Sequence, residues 1–161
     1  MKKMNNKGFS LIELIIVIAI MAVLVAVIAP NLTSYLGNSK KKTDNSNADT
    51  LESIINAQLQ NYCSDDSITA AASTDADMLK YDTVQNLIAK AAKPSTGYDS
   101  QFEQNVKDNI PTKYMKADGT LNTKQDGFQF YLKITGTKDS GFSAEVKCAK
   151  TNPWSQQTTT P

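Results

Sequence analysis

The sequence contains no histidine and no arginine, because all 17 of its basic residues are lysine. Without histidine the chain has no Ser-His-Asp or Cys-His nucleophile system, no His-ligated zinc and no imidazole that titrates near neutral pH. Without arginine it lacks the bidentate fork that recognises phosphate, carboxylate or guanine. These absences argue against an enzyme, and we expect no cofactor and no resident metal ion.

The length and the net charge of the chain limit the number of domains and the kinds of partner. The 161 residues, of which 40% are hydrophobic, are enough for one folded domain and too few for two with separate cores. The formal net charge of +1 provides no overall basic field, so nucleic acid is not expected to be a primary partner. Sixteen apolar residues form the unbroken run from Leu14 to Ala29, which leaves a polar remainder and a small core.

The beginning of the chain has the character of a membrane segment. Its first eight residues carry three lysines and no acid, and the positive-inside bias keeps such a start in the cytoplasm. As a helix, the run from Leu14 to Ala29 would rise only about 24 Å, whereas a helix from Phe9 to Ala29 would reach about 32 Å and cross a hydrocarbon core of roughly 30 Å. The span therefore includes Glu13. An ionised carboxylate in lipid costs at least ~2.5 kcal/mol, which marks Glu13 as a functional residue that needs a partner.

Two simple interpretations of this segment leave features unexplained. A secretory signal peptide fits the basic start, and Val27-Ile28-Ala29 weakly matches a small-residue cleavage site. However, Glu13 interrupts the apolar stretch, and Pro30 directly follows the candidate bond. A plain membrane anchor gives Glu13 no role.

A third interpretation accounts for these residues together. The segment Lys7-Gly8-Phe9-Ser10-Leu11-Ile12-Glu13-Leu14, with its basic leader, apolar run and Pro30, resembles the processing site of type IV prepilins. The resemblance implies cleavage after Gly8 by a prepilin peptidase, N-methylation of Phe9, and pairing of Glu13 with the α-amine of a neighbouring subunit. Two charges that are each costly in lipid neutralise one another in such a pair, which favours one axial register between subunits.

The resemblance also implies the fold and the organisation of the chain. It implies an α+β protein whose long N-terminal helix, half in the membrane or filament core and half on the head, packs on a small antiparallel β-sheet. The segments are a leader (1–8), a transmembrane or filament-core helix (9–29), the continuation of that helix (30–62) and a globular head (63–161).

Three features of the helix can be read from the residues. Pro30 lacks a backbone donor and clashes with a carbonyl one turn earlier, so we expect a bend there. Beyond it, apolar residues at helical spacing predict a stripe that faces the head core. For the lysines Lys40-Lys41-Lys42 three interpretations remain. They form a solvated helix face, they contact acids on neighbouring subunits such as Asp44, Asp49 and Glu52, or they bind DNA or lipid headgroups. Binding to DNA or lipid is the weakest of the three, because no aromatic residues are interleaved with the lysines. The stripe consists of Leu51, Ile54, Ile55, Leu59 and Tyr62.

The loop after the helix is rich in aspartate, which raises the question of a calcium site. The EF-hand pattern fails because Lys80 stands at the sixth position counted from Asp75, where glycine is required. We expect a soluble loop without metal. The aspartates are Asp65, Asp66, Asp75 and Asp77.

Two short helices are predicted in the head. Val84, Leu87, Ile88 and Ala91 predict one that ends near Pro94. Phe102 with Val106 indicates another before Pro111.

Two alternating patterns near the end of the chain predict a β-hairpin with one buried face. Apolar residues recur at every second position, and the polar turn 136–141 joins the strands. Upstream, Tyr114 and Met115 predict a further short strand, with Asp118-Gly119 turning the chain. The inward-facing hairpin positions are Phe128, Phe130, Leu132, Ile134, Phe142, Ala144, Val146 and Cys148.

Two interpretations are open for the pair of cysteines, and two for the single tryptophan. Cys63 follows Leu59 on the helix stripe and Cys148 shares the inward sheet face with Val146, so the thiols could meet between helix and sheet. A disulfide there would stabilise the fold by roughly 4 kcal/mol in the chain-entropy model, and two buried free thiols are the alternative. Trp154 either packs the tail against the head or forms an exposed contact point.

The sequence therefore predicts a structural subunit of a type IV pilus. It would begin as a single-pass membrane precursor and end in an extracellular helical homopolymer used for adhesion, aggregation, motility or DNA uptake. The resemblance implies a prepilin peptidase, an assembly ATPase, a membrane platform protein and minor pilins as partners. The alternatives are a minor pilin, a pseudopilin of a type II secretion or competence system, and, from another class, a membrane-anchored extracellular binding module.

Overall fold

The computed structural model describes residues 9–64, 82–90, 98–137 and 140–155. Its longest element is helix α1, Leu11–Ser64. Two short helices follow, α2 (Val84–Lys90) and α3 (Tyr98–Asn109), and then strands β1 (Gln129–Thr137) and β2 (Gly141–Ala149). The chain divides into two compact units, Met1–Ser39 and Lys40–Pro161, so α1 contributes its first part to one unit and its remainder to the other.

In the first unit, α1 continues as a helix through Pro30. Proline has no amide donor for the carbonyl one turn earlier. Side chains bond to backbone carbonyls around this point: Asn31 Nδ2 donates to the Val27 carbonyl at 3.4 Å, and Thr33 Oγ1 donates to the Pro30 carbonyl at 2.9 Å. Such back-bonding often accompanies a bend, and the bend at Pro30 stays a prediction.

In the second unit, one face of α1 supplies the wall of the head core. Leu51, Ile55 and Leu59 are fully buried, and Tyr62 is buried at the end of the stripe. The predicted stripe is confirmed, except that Ile54 lies at its margin and is only half-buried. Residues of α2, α3 and the sheet complete the core: Val84, Leu87, Ile88, Phe102, Val106, Ile110, Leu121, Phe130, Leu132, Ile134, Phe142, Ala144 and Val146.

The predicted hairpin is confirmed. Strands β1 and β2 pair antiparallel, with Leu132 opposite Val146 and Ile134 opposite Ala144 on the buried face. Tyr131, on the other face, is buried as well. The chain segment before α2 runs along the free edge of β1, where Thr83 forms a bridge with Tyr131 and the Leu132 amide donates to the Asp82 carbonyl at 2.9 Å. The α+β fold implied by the resemblance is confirmed.

The hairpin turn requires glycine at one position. Gly136 has φ of 114°, in the region that favours glycine, and a Cβ placed there would collide with the carbonyl oxygen of Gly141 on the opposite strand. The two strands can therefore pair up to the turn only because residue 136 has no side chain.

The further strand predicted at Tyr114 and Met115 is wrong in extent. Tyr114 ends a 3-10 turn, Thr112–Tyr114, and Met115 forms a single bridge with Leu121. The loop between these two residues is tight, since the Lys116 amide donates to the Thr120 carbonyl at 2.7 Å. The strand pairing here is therefore limited to the bridge between Met115 and Leu121.

The two predicted short helices are confirmed as α2 and α3. Ala91 and Pro94, which the sequence placed near the end of the first, lie outside the described residues. The aspartate-rich loop also lies outside them.

Candidate functional site

The helix α1 begins with a polar cap that Glu13 provides. The Glu13 Oε2 atom accepts a hydrogen bond of 2.8 Å from the Ser10 amide, and the Ser10 carbonyl accepts from the amides of Glu13 and Leu14. This is one half of a capping box, in which the residue at the third helical position covers the amide of the cap residue. A carboxylate at this end also interacts favourably with the partial positive charge of the helix N-terminus.

The predicted processing residues lie at the same end of α1. Phe9 is 92% exposed and precedes the cap directly, whereas Gly8 lies outside the described residues. Cleavage between them would create an α-amine three bonds before the Ser10 amide that Glu13 binds. The capping bond engages Oε2, so Oε1 can still accept from a second donor.

The apolar surface that follows is uncovered along its length. Every large hydrophobic residue of α1 from Leu11 to Leu36 is exposed by about half or more, and this stretch is apolar enough to cross a membrane. No charged residue stands between Glu13 and Lys40. Monomeric soluble proteins rarely expose so large a patch, so this surface needs a lipid or protein environment.

A buried carboxylate fastens the helix to the head. Asp44 is fully buried in the second unit, where it accepts from the Lys124 amide at 2.7 Å, the Gln125 amide at 3.0 Å and Gln125 Nε2 at 3.1 Å. A buried carboxylate is costly unless it is hydrogen-bonded in this way. The expectation that Asp44 is available to lysines of a neighbour is therefore wrong, because the head uses it. Asp44 stands four residues before Ala48, in line with the buried stripe, and this spacing was the feature of the sequence that indicated its burial.

Two further side chains of α1 cover the outer edge of β2. Glu52 Oε2 accepts from the Val146 amide at 2.8 Å. Asn56 accepts from the Ala144 amide at 2.8 Å and donates to the Ala144 carbonyl at 3.0 Å, as a neighbouring strand would. An uncovered strand edge is a template for unwanted pairing, and these contacts blunt it. Nothing in the local sequence pattern identified them.

Replacing Asn56 with alanine should lower the free energy of unfolding by about 1–3 kcal/mol, because two backbone groups of Ala144 lose their partner. The exposed Gln60 on the same helix provides the matched control, and Gln60→Ala should change stability by less than about 0.5 kcal/mol. Urea unfolding of the full chain in detergent, followed by near-UV circular dichroism, measures both. Equal losses would show that the Asn56 contacts do not stabilise the head.

The cysteines that the sequence analysis paired are apart in the structure. Both are free and half-buried against the core. Cys148 lines the same groove as Ala48, which lies fifteen residues before Cys63 and thus about 22 Å away along the helix. Both faces were assigned correctly, but β2 runs along α1 so that Cys148 lies at the other end of the head. The predicted disulfide is not formed.

Burial, with a smaller contribution from the Asp44 carboxylate, raises the pKa of the Cys148 thiol to about 11.

The remaining predicted contact residues lie on the surface of the head. Trp154 is half-buried, its amide donates to Asn152 Oδ1 at 2.9 Å, and Lys147 Nζ lies 5.3 Å from its ring centroid. The Trp154 ring therefore lies beside Lys147 of β2. Lys40, Lys41 and Lys42 are exposed.

The part of the chain that the structure describes contains no group of three or more His, Cys, Asp or Glu side chains placed to hold a metal ion. The aspartates Asp65, Asp66, Asp75 and Asp77 are outside it.

Comparisons with known proteins agree with the motif at the start of α1. The family model described as the prokaryotic N-terminal methylation motif matches residues 3–29. The prepilin peptidase-dependent protein A of Clostridium perfringens (strain 13 / Type A) is 33% identical over 106 residues, which cover 59% of this chain and 76% of that protein. No solved structure matches.

Proposed function

Because this chain belongs to the type IV pilin-like proteins, which are made as membrane-anchored prepilins, we propose that it is the structural subunit of a type IV pilus. The observation that supports this most is the apolar surface of α1 from Leu11 to Leu36, on which every large hydrophobic side chain is about half or more exposed. A membrane covers such a surface before assembly, and the same helices of other subunits cover it in a filament.

The first step of the proposed function is processing on the cytoplasmic face. The basic leader holds Gly8 there, and a prepilin peptidase cleaves the bond between Gly8 and Phe9. In support of this step, Phe9 is exposed and directly precedes the capped helix. N-methylation then modifies the new α-amine of Phe9.

The second step is polymerisation. An assembly ATPase and a membrane platform protein lift the processed subunit out of the membrane, and the apolar helices pack in the filament core. Glu13 pairs with the α-amine of a neighbouring subunit, and the polar head forms the filament surface. Minor pilins join the same assembly.

The substitution Gly8→Val tests the processing step. The β-branched side chain should block cleavage, so the chain keeps its leader, remains in the membrane and forms no filaments. Intact mass spectrometry of the membrane fraction measures this directly, with Asn5→Val in the same leader as the control that should mature normally. Normal cleavage of Gly8→Val would contradict the assigned bond.

Shearing of intact cells separates the proposed pilus subunit from its closest relatives in function. A major subunit should be the most abundant protein in the sheared filaments. A minor pilin would be present as a trace component, and a pseudopilin would stay with the cell envelope.

A further inference from the structure

The charges of α1 are segregated along its length. No acid stands between Glu13 and Asp44, and no basic residue stands between Lys42 and Lys80. The helix therefore carries a block of three lysines, Lys40 to Lys42, followed by a stretch whose only charges are acidic. Opposite charges at i and i+4 on one helix normally attract each other, and Lys40 with Asp44 is the one such combination between the lysine block and the acidic stretch.

Within the described part of the chain, the lysine block has no acidic partner. Lys40, Lys41 and Lys42 are exposed and make no ion pair with the residues that the structure describes. Asp44 is the one acid within a turn of them, but it is fully buried and its oxygens bind the amides of Lys124 and Gln125.

The acidic part of the helix borders a groove on the head. Asp49 and Glu52 stand on the α1 wall of a groove of about 640 Å³ between α1 and β2. Asp49 is exposed, and Glu52 uses only Oε2 to hold the Val146 amide. On the β2 wall, Glu145 is already paired with Lys147 at 2.6 Å. Asp49 and Glu52 are thus the acids on the α1 wall of this groove.

We propose that the lysine block of one subunit, Lys40 to Lys42, docks on the acidic groove edge formed by Asp49 and Glu52 of a second copy of the same chain. The two patches are opposite in sign, both are accessible, and no ion pair joins them within the described part of one chain. Complementary charges fix the register of an interface and suppress other arrangements. This inference rests on the proposed function, since it needs parallel, axially staggered helices.

The required stagger agrees in direction with the pairing proposed for Glu13. When Phe9 of a neighbouring subunit lies level with Glu13 of the first, the neighbour is displaced relative to the first by four residues, or about 6 Å along the helix axis. A neighbour whose Lys41 lies level with Asp49 is displaced in the same sense by eight residues, or about 12 Å. A helical filament gives each subunit neighbours at multiples of its axial rise, so the two contacts fall on different neighbours and together specify one assembly.

Charge reversal with rescue tests this contact in cells that assemble the full chain. The variants are K41E/K42E, D49K and the combination K41E/K42E/D49K. Glu52 is left unchanged because it also holds β2. The control K116E/K150E changes the net charge equally at two exposed head lysines. The readout is the ratio of protein in sheared filaments to processed protein in the membrane.

We expect K41E/K42E to lower this ratio by about tenfold or more and D49K to lower it severalfold, because like charges then face each other. The combined variant should recover to within about threefold of the unsubstituted chain, since coupled residues are not additive. A combined variant as poor as K41E/K42E would overturn the contact and point to another target such as lipid headgroups. A K41E/K42E ratio equal to that of K116E/K150E would overturn it as well, because the loss would then follow net charge alone. An unsubstituted chain that keeps its leader and forms no filaments would overturn the proposed function, and this inference with it.

Discussion

Replacing Glu13 with alanine should reduce filament yield by about 100-fold or more while the leader is still removed, because it leaves the α-amine of a neighbour unpaired in an apolar core. The proposed pairing depends on the charge of this residue and not only on its shape. Its carboxylate lies at the beginning of a helix with no other charge before Lys40. No other acid near this end can take its place.

The variant Glu13→Gln separates the two roles of this side chain. Its amide oxygen can still accept from the Ser10 amide and cap the helix, but it carries no negative charge. We therefore expect Glu13→Gln to mature normally and to assemble as poorly as Glu13→Ala. Filament yield relative to the processed membrane pool is the measurement. Normal assembly of Glu13→Gln would show that the cap, and not the charge pair, is what the filament requires.

Replacing Asp44 with alanine should destabilise the head by about 3–5 kcal/mol. Asp44 provides the acceptors for two backbone amides, of Lys124 and Gln125, and for the side-chain amide of Gln125. Alanine removes all three and leaves a cavity where the carboxylate was fully buried. The segment that crosses α1 before β1 would then lose its attachment.

Asp49 is the matched control for this experiment. It is an exposed acid on the same helix, and Asp49→Ala should change stability by less than about 0.5 kcal/mol. Urea unfolding of the full chain in detergent, followed by near-UV circular dichroism, compares the two variants. If both lose the same small amount, Asp44 does not fasten the head to the helix.

The sequence was most informative where a pattern is local. The spacing of Leu51, Ile55 and Leu59 identified the buried face of α1, and the alternation in 128–148 identified the hairpin. The motif at Gly8, Phe9 and Glu13 led to the family. In each of these, the signal lies within about two turns of helix or one strand.

Long-range contacts were not accessible in the same way. Asp44 binds amides about eighty residues further along the chain, so its pattern shows at most that it lies on the buried stripe. The cysteines illustrate the same limit. Periodicity assigned Cys63 and Cys148 to facing surfaces, but only the alignment of β2 along α1 decides where on the helix each strand residue lies.

The most direct test of the account is the intact mass and N-terminal sequence of the protein in material sheared from the cell surface. The account predicts a chain that begins at N-methylated Phe9 and is abundant in filaments. A chain found only in membranes and still carrying residues 1–8 would contradict it, and would favour an anchored binding module instead.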